Sequence, residues 1–354
     1  MYSMERTHYE RIIGGSEEEQ EAAREELQNS FDKKSEDFTE HEIEKTPEDR
    51  ELIKKTESIV DRMVTQYGGE PKNLPIDHIY ILKPGSVDTI TEGEHAGALT
   101  QPHGLKIGIE QKESKFLFAS GVAHELFHLK SYKSARLGNS PENIHLYRNG
   151  LQMYERKDPN VEVGEEKEYF SKLEEAIVAE CVRKFLNELG KDEEFQEETE
   201  ALNRLRNWIV EYHRSAGVEE KKMKIWEEEI KYIADPIGKV KDVLAYSDDE
   251  QERQAYSAGL FQRAYEKGEV EELERYVYRE ELYNLLDELV EKSDGKFKSR
   301  EEVFEKFANA NFSGHYLPLA RMVEGILGKG TFRELAERFS EEAEKEQENS
   351  ETNS

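Results

Sequence analysis

Residues 121–129 read Gly-Val-Ala-His-Glu-Leu-Phe-His-Leu and contain a His-Glu-x-x-His motif at His124, Glu125 and His128. The apolar residues around the motif predict a buried helix from about residue 114 to residue 137. A spacing of four residues places both imidazoles on one face of this helix, one turn apart, so that both can bind one metal ion. Glu125 is rotated by about 100° from His124, so it can take a proton from metal-bound water without binding the metal itself.

Zinc is the metal ion that suits these side chains. It accepts imidazole nitrogen, tolerates four or five ligands and lowers the pKa of bound water to near neutrality. Polar His and Glu side chains on an apolar helix also need a reason to be buried. The alternative is a pair of core histidines that are satisfied by hydrogen bonds. We expect one zinc ion (Zn2+) per chain.

A third metal ligand must come from outside the motif. Ser134 stands where a third histidine would follow in one local pattern, and the single cysteine, Cys181, lies downstream of the motif. A second predicted helix, at residues 171–189, carries Glu174 and Glu175 within its apolar stripe. A carboxylate on a buried stripe favours a cation, so either glutamate is a candidate ligand. The alternative is that the acidic pair belongs to a solvated face.

The motif at residues 124–128 and the Glu-Glu-Ala-Ile stretch at residues 174–177 together resemble the gluzincin zinc metallopeptidases. The core, at about residues 75–190, is most similar to the minigluzincins. The resemblance implies a zincin-like fold and peptide-bond hydrolysis. In that family the second glutamate of the pair binds the metal, which selects Glu175. It also implies an edge strand that lies antiparallel to bound peptide, for which residues 96–99 (Ala-Gly-Ala-Leu) are the candidate.

The chain departs from the family pattern at two positions. Glu174 occupies the place of the usual asparagine, and Ala179 occupies the place of an acid that often orients a zinc-binding histidine. The partner that orients the histidines is therefore unassigned. Such partners matter for metal affinity, and Glu174 is a candidate substitute.

A peptidase of this type needs a donor for the oxyanion of the tetrahedral intermediate. The candidates are His315, Tyr316 and Tyr278. For each tyrosine the alternative is an ordinary packed side chain, because tyrosine is abundant in this chain.

Composition excludes several classes of function. The 354 residues carry a formal net charge of −29, which argues against a nucleic-acid partner because phosphate binding needs a basic surface. We find no apolar run of about 20 residues that could cross a bilayer and no signal peptide, so we expect a cytoplasmic protein with no membrane partner. A single cysteine allows no intrachain disulfide and no cysteine-based zinc site.

The apolar pattern along the chain predicts an α+β fold in four parts. Residues 1–45 form an acidic arm without an apolar stripe and are expected to be disordered, as is the acidic tail at residues 341–354. Residues 46–190 form the zincin-like catalytic core, a small twisted sheet with the active-site helix and the Glu-bearing helix. Residues 191–340 are predicted to form a mainly α-helical C-terminal region.

Local signals divide the core into elements. Thr46 and Pro47 predict the start of a helix that ends near Tyr67. Asn149-Gly150 predicts the turn of a hairpin. The alternating or apolar runs predict strands at residues 78–82, 87–90, 96–100 and 105–110, and hairpin strands within residues 144–155.

These expectations describe a zinc-dependent metallopeptidase that acts on a peptide or protein substrate. His124, His128 and Glu175 hold the metal, and Glu125 is the general base. Two alternatives stay open. One is an inactive metallopeptidase-like binding module, and the other is an acidic helical binding protein that holds no metal.

Overall fold

The fold is mixed α/β, with two small mixed sheets packed against helices. The computed structural model describes residues 9–91, 98–101, 105–112, 114–138, 144–156, 166–218, 236–247, 249–266 and 273–340. The strands are β1 (Arg11–Ile13), β2 (Glu42–Ile43), β3 (Ile79–Leu82), β4 (Ala98–Gln101), β5 (Lys106–Glu110), β6 (Lys133–Leu137), β7 (Ile144–Asn149), β8 (Gln152–Arg156) and β9 (Glu166–Tyr169). The helices are α1 (Glu17–Asp32), α2 (Glu36–His41), α3 (Pro47–Gln66), α4 (Ser86–Ile90), α5 (Lys115–Lys130), α6 (Ser171–Leu189), α7 (Gln196–Ser215), α8 (Pro236–Tyr246), α9 (Glu250–Glu266), α10 (Leu273–Lys292), α11 (Arg300–Ser313), α12 (Tyr316–Leu327) and α13 (Thr331–Arg338).

One sheet lies directly against α5 and has the strand order β2-β3-β5-β4. β3 and β5 are parallel, and β4 runs antiparallel to β5 at the edge of the sheet. The strands predicted at residues 78–82 and 105–110 are therefore confirmed as β3 and β5. The strand predicted at residues 96–100 is observed as β4, and the first two residues of that prediction lie outside the described residues.

The strand predicted at residues 87–90 is wrong, because these residues belong to the short helix α4. Gly85 precedes this helix with a φ of 79°, a conformation that glycine adopts without strain. The carboxylate of Glu110, on β5, accepts a 2.9 Å hydrogen bond from the backbone N–H of Val87. Glu110, from a different element, thus satisfies a backbone N–H in the first turn of the helix. The local apolar pattern did not indicate this contact.

The other sheet has the strand order β1-β6-β7-β8-β9. β1 and β6 are parallel, and the other pairs are antiparallel. The predicted hairpin is confirmed as β7 and β8, but its turn is Gly150-Leu151 rather than Asn149-Gly150, because Asn149 belongs to β7 and pairs with Gln152. Gly150 has the positive φ, 59°, that this tight turn requires.

The motif-bearing helix is shorter than predicted. We expected it to continue to residue 137, but α5 ends at Lys130 and the following residues form β6. β6 pairs with β1 on one side and with β7 on the other. Backbone hydrogen bonds to the distant β1 and to the following strand β7 therefore outweigh the local helix propensity of these residues.

Residues 9–45 are folded, in contrast to the disordered arm that we expected. Ala23 and Leu27 of α1 are buried in a small cluster beside β1 and β6. Phe38 of α2 is fully buried and meets the ring of Tyr80 edge-on, with the centroids 5.3 Å apart. A few apolar side chains are enough here because β1 and β2 also extend both sheets by one strand each.

The main hydrophobic core surrounds α5, which packs against α3, α6, β4 and β5. α6 packs in turn against α10, and α10 to α13 continue the helical layer. The described residues between 191 and 340 are helical as predicted, with a short 3-10 segment at Glu193–Phe195. Among these described helices, none has both the length and the apolar character that crossing a membrane requires. The predicted tail, residues 341–354, lies outside the described residues.

Candidate metal centre

Helix α5 carries the motif, and two side chains cap its N-terminus. The side chain of Ser114 accepts a hydrogen bond from the N–H of Leu117 at 3.0 Å. The carboxylate of Glu198, on α7, accepts hydrogen bonds from the Ser114 hydroxyl at 2.7 Å and from the N–H of Phe116 at 3.1 Å. A carboxylate at this end is favourable because it satisfies free N–H groups and opposes the helix dipole. The sequence contained no signal for the contact of Glu198.

The motif lies on the buried part of α5, as predicted. His124 is 3 % exposed and Glu125 is 6 % exposed, and the side chain of His128 is 12 % exposed. Burial of these polar groups costs free energy unless they have partners. Their surroundings therefore decide whether they are core histidines or metal ligands.

The structure brings three of the predicted site residues together. His124 Nε2 and His128 Nε2 are 2.9 Å apart. The carboxylate of Glu175, on α6, lies 3.6 Å from His124 Nε2 and 3.1 Å from His128 Nε2. His124, His128 and Glu175 form a group of ligand atoms that could hold a metal ion.

These distances fit a metal ion of the size of zinc. Ligand atoms about 2.0–2.1 Å from a tetrahedral zinc ion lie about 3.3 Å from one another. The three measured separations, 2.9, 3.1 and 3.6 Å, lie around this value. Two imidazole nitrogens and one carboxylate oxygen are also a ligand set that zinc accepts. The residues present therefore fit the predicted metal.

Adjacent glutamates of α6 contact different atoms of the same imidazole. Glu175 faces Nε2 of His128, whereas Glu174 Oε2 lies 2.9 Å from His128 Nδ1. Glu174 is 1 % exposed, and the side chain of Glu175 is 35 % exposed. The residues alone left either glutamate as the candidate ligand, and the structure places Glu175 with the two Nε2 atoms.

The cluster attracts positive charge. Burial opposes protonation of His128, but the charges of Glu174 and Glu175 outweigh burial and hold the pKa of His128 well above its ordinary value. Two carboxylates around one imidazole therefore favour a cation at this position, whether a proton or a metal ion.

Comparison with protein-family models, with curated proteins and with solved structures finds no match to this chain. The resemblance to the gluzincins thus rests on the two sequence motifs. What the structure adds is a His-His-Glu cluster that could hold a metal ion.

Two lysines, the buried Lys133 and the partly buried Lys72, donate to carbonyls at the C-terminal end of α5. Lys133 Nζ donates to the carbonyl of His128 at 2.7 Å, and Lys72 Nζ donates to the carbonyl of Ser131 at 2.6 Å. Glu10 pairs with Lys72 at 2.9 Å and accepts from the backbone N–H of Lys133 at 2.7 Å. Burial and the charge of Lys72 lower the pKa of Lys133 to about 7. The donated N–H groups satisfy the last carbonyls of the helix, which have no partner within the helix and carry negative partial charge.

The start of α6 is held by the C-terminal segment of the chain. The N–H of Phe170 donates to the carbonyl of Ala336 at 3.3 Å, and that of Lys172 donates to the carbonyl of Phe339 at 3.2 Å. The ring of Phe170 lies 5.1 Å from that of Phe332, centroid to centroid. These contacts fix the first turn of α6, directly before the two glutamates.

The candidate oxyanion donors lie in different surroundings. His315 is exposed at the start of α12, with Nδ1 2.9 Å from the hydroxyl oxygen of Ser313, and does not belong to the metal-ligand cluster. Tyr316 is a packed side chain, with the guanidinium of Arg148 4.9 Å from the centre of its ring. Tyr278 is half-buried on α10 and lies beside α6, with Lys172 Nζ 5.5 Å from the centre of its ring.

Proposed function

We propose that the chain is a zinc-dependent metallopeptidase of the gluzincin type, with a zincin-like core formed by the β2-β3-β5-β4 sheet, α5 and α6. The observation that carries this proposal is the convergence of His124, His128 and Glu175 on one point, next to Glu125 on a buried helix. A pair of ordinary core histidines does not require a carboxylate from a second helix at the same place.

His124, His128 and Glu175 would hold the zinc ion, one per chain. Two histidines and one glutamate leave one position of a tetrahedral zinc ion open, which is the pattern of catalytic rather than structural zinc sites. When bound, zinc supplies Lewis-acid chemistry, since it lowers the pKa of water and polarises carbonyl groups.

Glu125 is the general base. It adjoins His124 on α5 and is rotated by about 100° around the helix axis, so its carboxylate can act on metal-bound water without itself binding the metal. It accepts the proton of the attacking water and passes that proton to the leaving amine of the substrate. Its burial, at 6 % exposure, favours proton transfer because surrounding water is excluded.

β4 is the proposed binding strand for the substrate. Within the described residues it pairs with β5 on one side only, and it packs against α5. An edge strand offers unpaired N–H and C=O groups, with which an extended peptide can form backbone hydrogen bonds. The peptide bond to be cleaved would then lie beside the helix that carries the motif.

The test combines metal content with hydrolysis. Mass spectrometry of protein purified without added metal should find about one zinc ion per chain. Glu125→Gln should keep the metal but lose about 10²–10⁴-fold in the rate of cleavage of a broad peptide library, because it removes the base. Glu175→Ala should lose zinc, because it removes one of three ligands.

Three outcomes contradict the proposal. Full activity of the Glu125→Gln variant excludes this mechanism. Full zinc occupancy without cleavage of any peptide favours the inactive metallopeptidase-like module. Absence of metal even after zinc is supplied favours the acidic helical binding protein.

A further inference from the structure

We infer that Glu174 is a positioning residue that fixes the imidazole of His128 for metal binding. The inference rests on the proposed metal site.

The first support is the geometry around the two nitrogens of His128. Nδ1 lies 2.9 Å from Glu174 Oε2, and Nε2 lies 2.9 Å from His124 Nε2 and 3.1 Å from Glu175 Oε1. A neutral imidazole carries its proton on one nitrogen only. When Nδ1–H donates to Glu174, the lone pair is on Nε2, the atom that faces the other two ligands. Glu174 thus selects the tautomer and the ring orientation that metal binding needs.

The second support is the burial of Glu174. A carboxylate that is 1 % exposed costs several kcal/mol of solvation unless cations or donors replace the lost water. Its Oε1 atom is buried and has no hydrogen-bond partner among the described residues. The contact with His128 is therefore the side-chain hydrogen bond that holds this carboxylate, and a divalent ion on the far side of the ring would add the missing positive charge.

Glu180, on the same helix, shows how this chain satisfies a buried carboxylate that has no such task. It is 3 % exposed, and both of its oxygens accept from the guanidinium of Arg183, at 2.7 and 2.8 Å. Glu174 has an imidazole in place of an arginine. The comparison separates a glutamate that is paired for stability from one that is directed at a metal ligand, and it supplies a matched control.

The experiment measures zinc affinity by competition with a chromophoric chelator for the wild type, Glu174→Ala, Glu174→Gln and Glu180→Gln. Loss of the carboxylate that orients a ligating histidine weakens metal binding by about 10–100-fold. We expect a loss near 100-fold for Glu174→Ala and near 10-fold for Glu174→Gln, whose carbonyl oxygen can still accept from Nδ1–H. Glu180→Gln should stay within about threefold of the wild type.

A second readout is independent of affinity and of catalysis. Nitrogen-15 NMR of the zinc-loaded wild type should show His128 with a protected Nδ1–H, and this signal should exchange rapidly with solvent in the Glu174→Ala protein. If Glu174→Ala does not fold, the nearly isosteric Glu174→Gln carries the test, with far-UV circular dichroism as the check on folding.

The outcomes separate this inference from the proposed function. A wild type that binds zinc, with Glu174→Ala and Glu174→Gln both within threefold of its affinity, overturns the role of Glu174 and leaves the metallopeptidase proposal standing. An equal loss in Glu180→Gln and Glu174→Gln also overturns it, because the loss would then follow from any buried glutamate of α6. A wild type that binds no zinc overturns both.

Discussion

Asn311, on α11, connects the C-terminal region to the part of the fold that carries the candidate metal site, and its replacement gives a measurable prediction. The side chain is fully buried. Its Oδ1 accepts from the N–H of Leu151 at 2.8 Å, and its Nδ2 donates to the hydroxyl of Ser131 at 3.0 Å. Leu151 lies in the turn of the β7–β8 hairpin, and Ser131 is the C-cap of α5, the helix that carries the motif. One amide therefore joins three elements.

The structure sets the magnitude of the effect of Asn311→Ala. The buried N–H of Leu151 would lose its acceptor, which costs about 1–3 kcal/mol. The hydrogen bond to Ser131 would be lost at about 0.5–1.5 kcal/mol, although the Ser131 hydroxyl keeps its 2.9 Å bond to the carbonyl of Phe127. We expect the free energy of unfolding to fall by about 2–4 kcal/mol.

Asn309, on the same helix, is the matched control. It is half-buried, and its Nδ2 donates to the carbonyl of Tyr67 at 2.8 Å. Asn309→Ala removes one amide in the same way but should cost only about 1 kcal/mol. Urea unfolding of metal-free protein, followed by far-UV circular dichroism, measures both variants, and an unchanged m-value keeps the comparison valid. Equal losses for the two variants would refute the assignment of Asn311 as the connecting residue.

Two further predictions concern the hairpin turn and the start of α5. Gly150→Ala should lower the free energy of unfolding by about 2–5 kcal/mol, because a Cβ atom would lie 2.1 Å from Asn311 Oδ1 at a residue with a φ of 59°. The control, Gly85→Ala, changes a residue that also has a positive φ but has nothing within 4 Å of the added Cβ, so it should cost only about 1–2 kcal/mol. Equal costs of the two variants in urea unfolding would contradict the tight contact at Gly150. Glu198→Ala should lower the free energy of unfolding by about 1–2 kcal/mol and weaken zinc binding, because it removes three hydrogen bonds at the start of α5. Replacement of the exposed neighbour, Glu197→Ala, should change neither quantity, and a matching loss in both variants would contradict the capping role of Glu198.

The elements predicted correctly are those whose signals are local. Thr46 caps α3 through the N–H of Asp49, as its place before Pro47 indicated. α6 begins at Ser171 and ends at Leu189, where its apolar stripe meets Gly190. In such elements the residues that form the structure also define its ends.

The errors occur where a partner distant in sequence decides the local structure. Lys133–Leu137 contains good helix formers but pairs with β1 and β7, so it is a strand. The carboxylate of Glu110, on β5, caps the start of α4, and the run through Val87 is a helix rather than a strand. The segment at residues 9–45 has few apolar residues, but Ile12, Ala23 and Leu27 are buried in a cluster with β6, and Phe38 is buried against β3. The local pattern of each segment does not contain these contacts with other elements.

In the candidate site, too, local spacing predicted some residues, whereas contacts between elements decided the rest. His124 and His128 follow from helical spacing, and the stripe of α6 already indicated that Glu174 and Glu175 face the core. The separation of the two glutamates between Nδ1 and Nε2 of one ring depends on how α5 and α6 pack. Glu198 contacts the site helix across a large separation in sequence, so helical period could not predict its contact.

The helical C-terminal region has a structural role in this arrangement, because it contacts the helices that carry the candidate ligands. A metal site needs its ligands held to within about 0.5 Å, and here the ligands come from two different helices. The carbonyls of Ala336 and Phe339 hold the start of α6, and the carbonyl of Asn311 accepts from the N–H of Tyr132, just after α5. Residues 300–340 thus contact both ligand-bearing helices near their ends. Because the same segment holds both helices, it supports the direct packing of α5 against α6 that sets the distance between Glu175 and the two histidines of the candidate metal site.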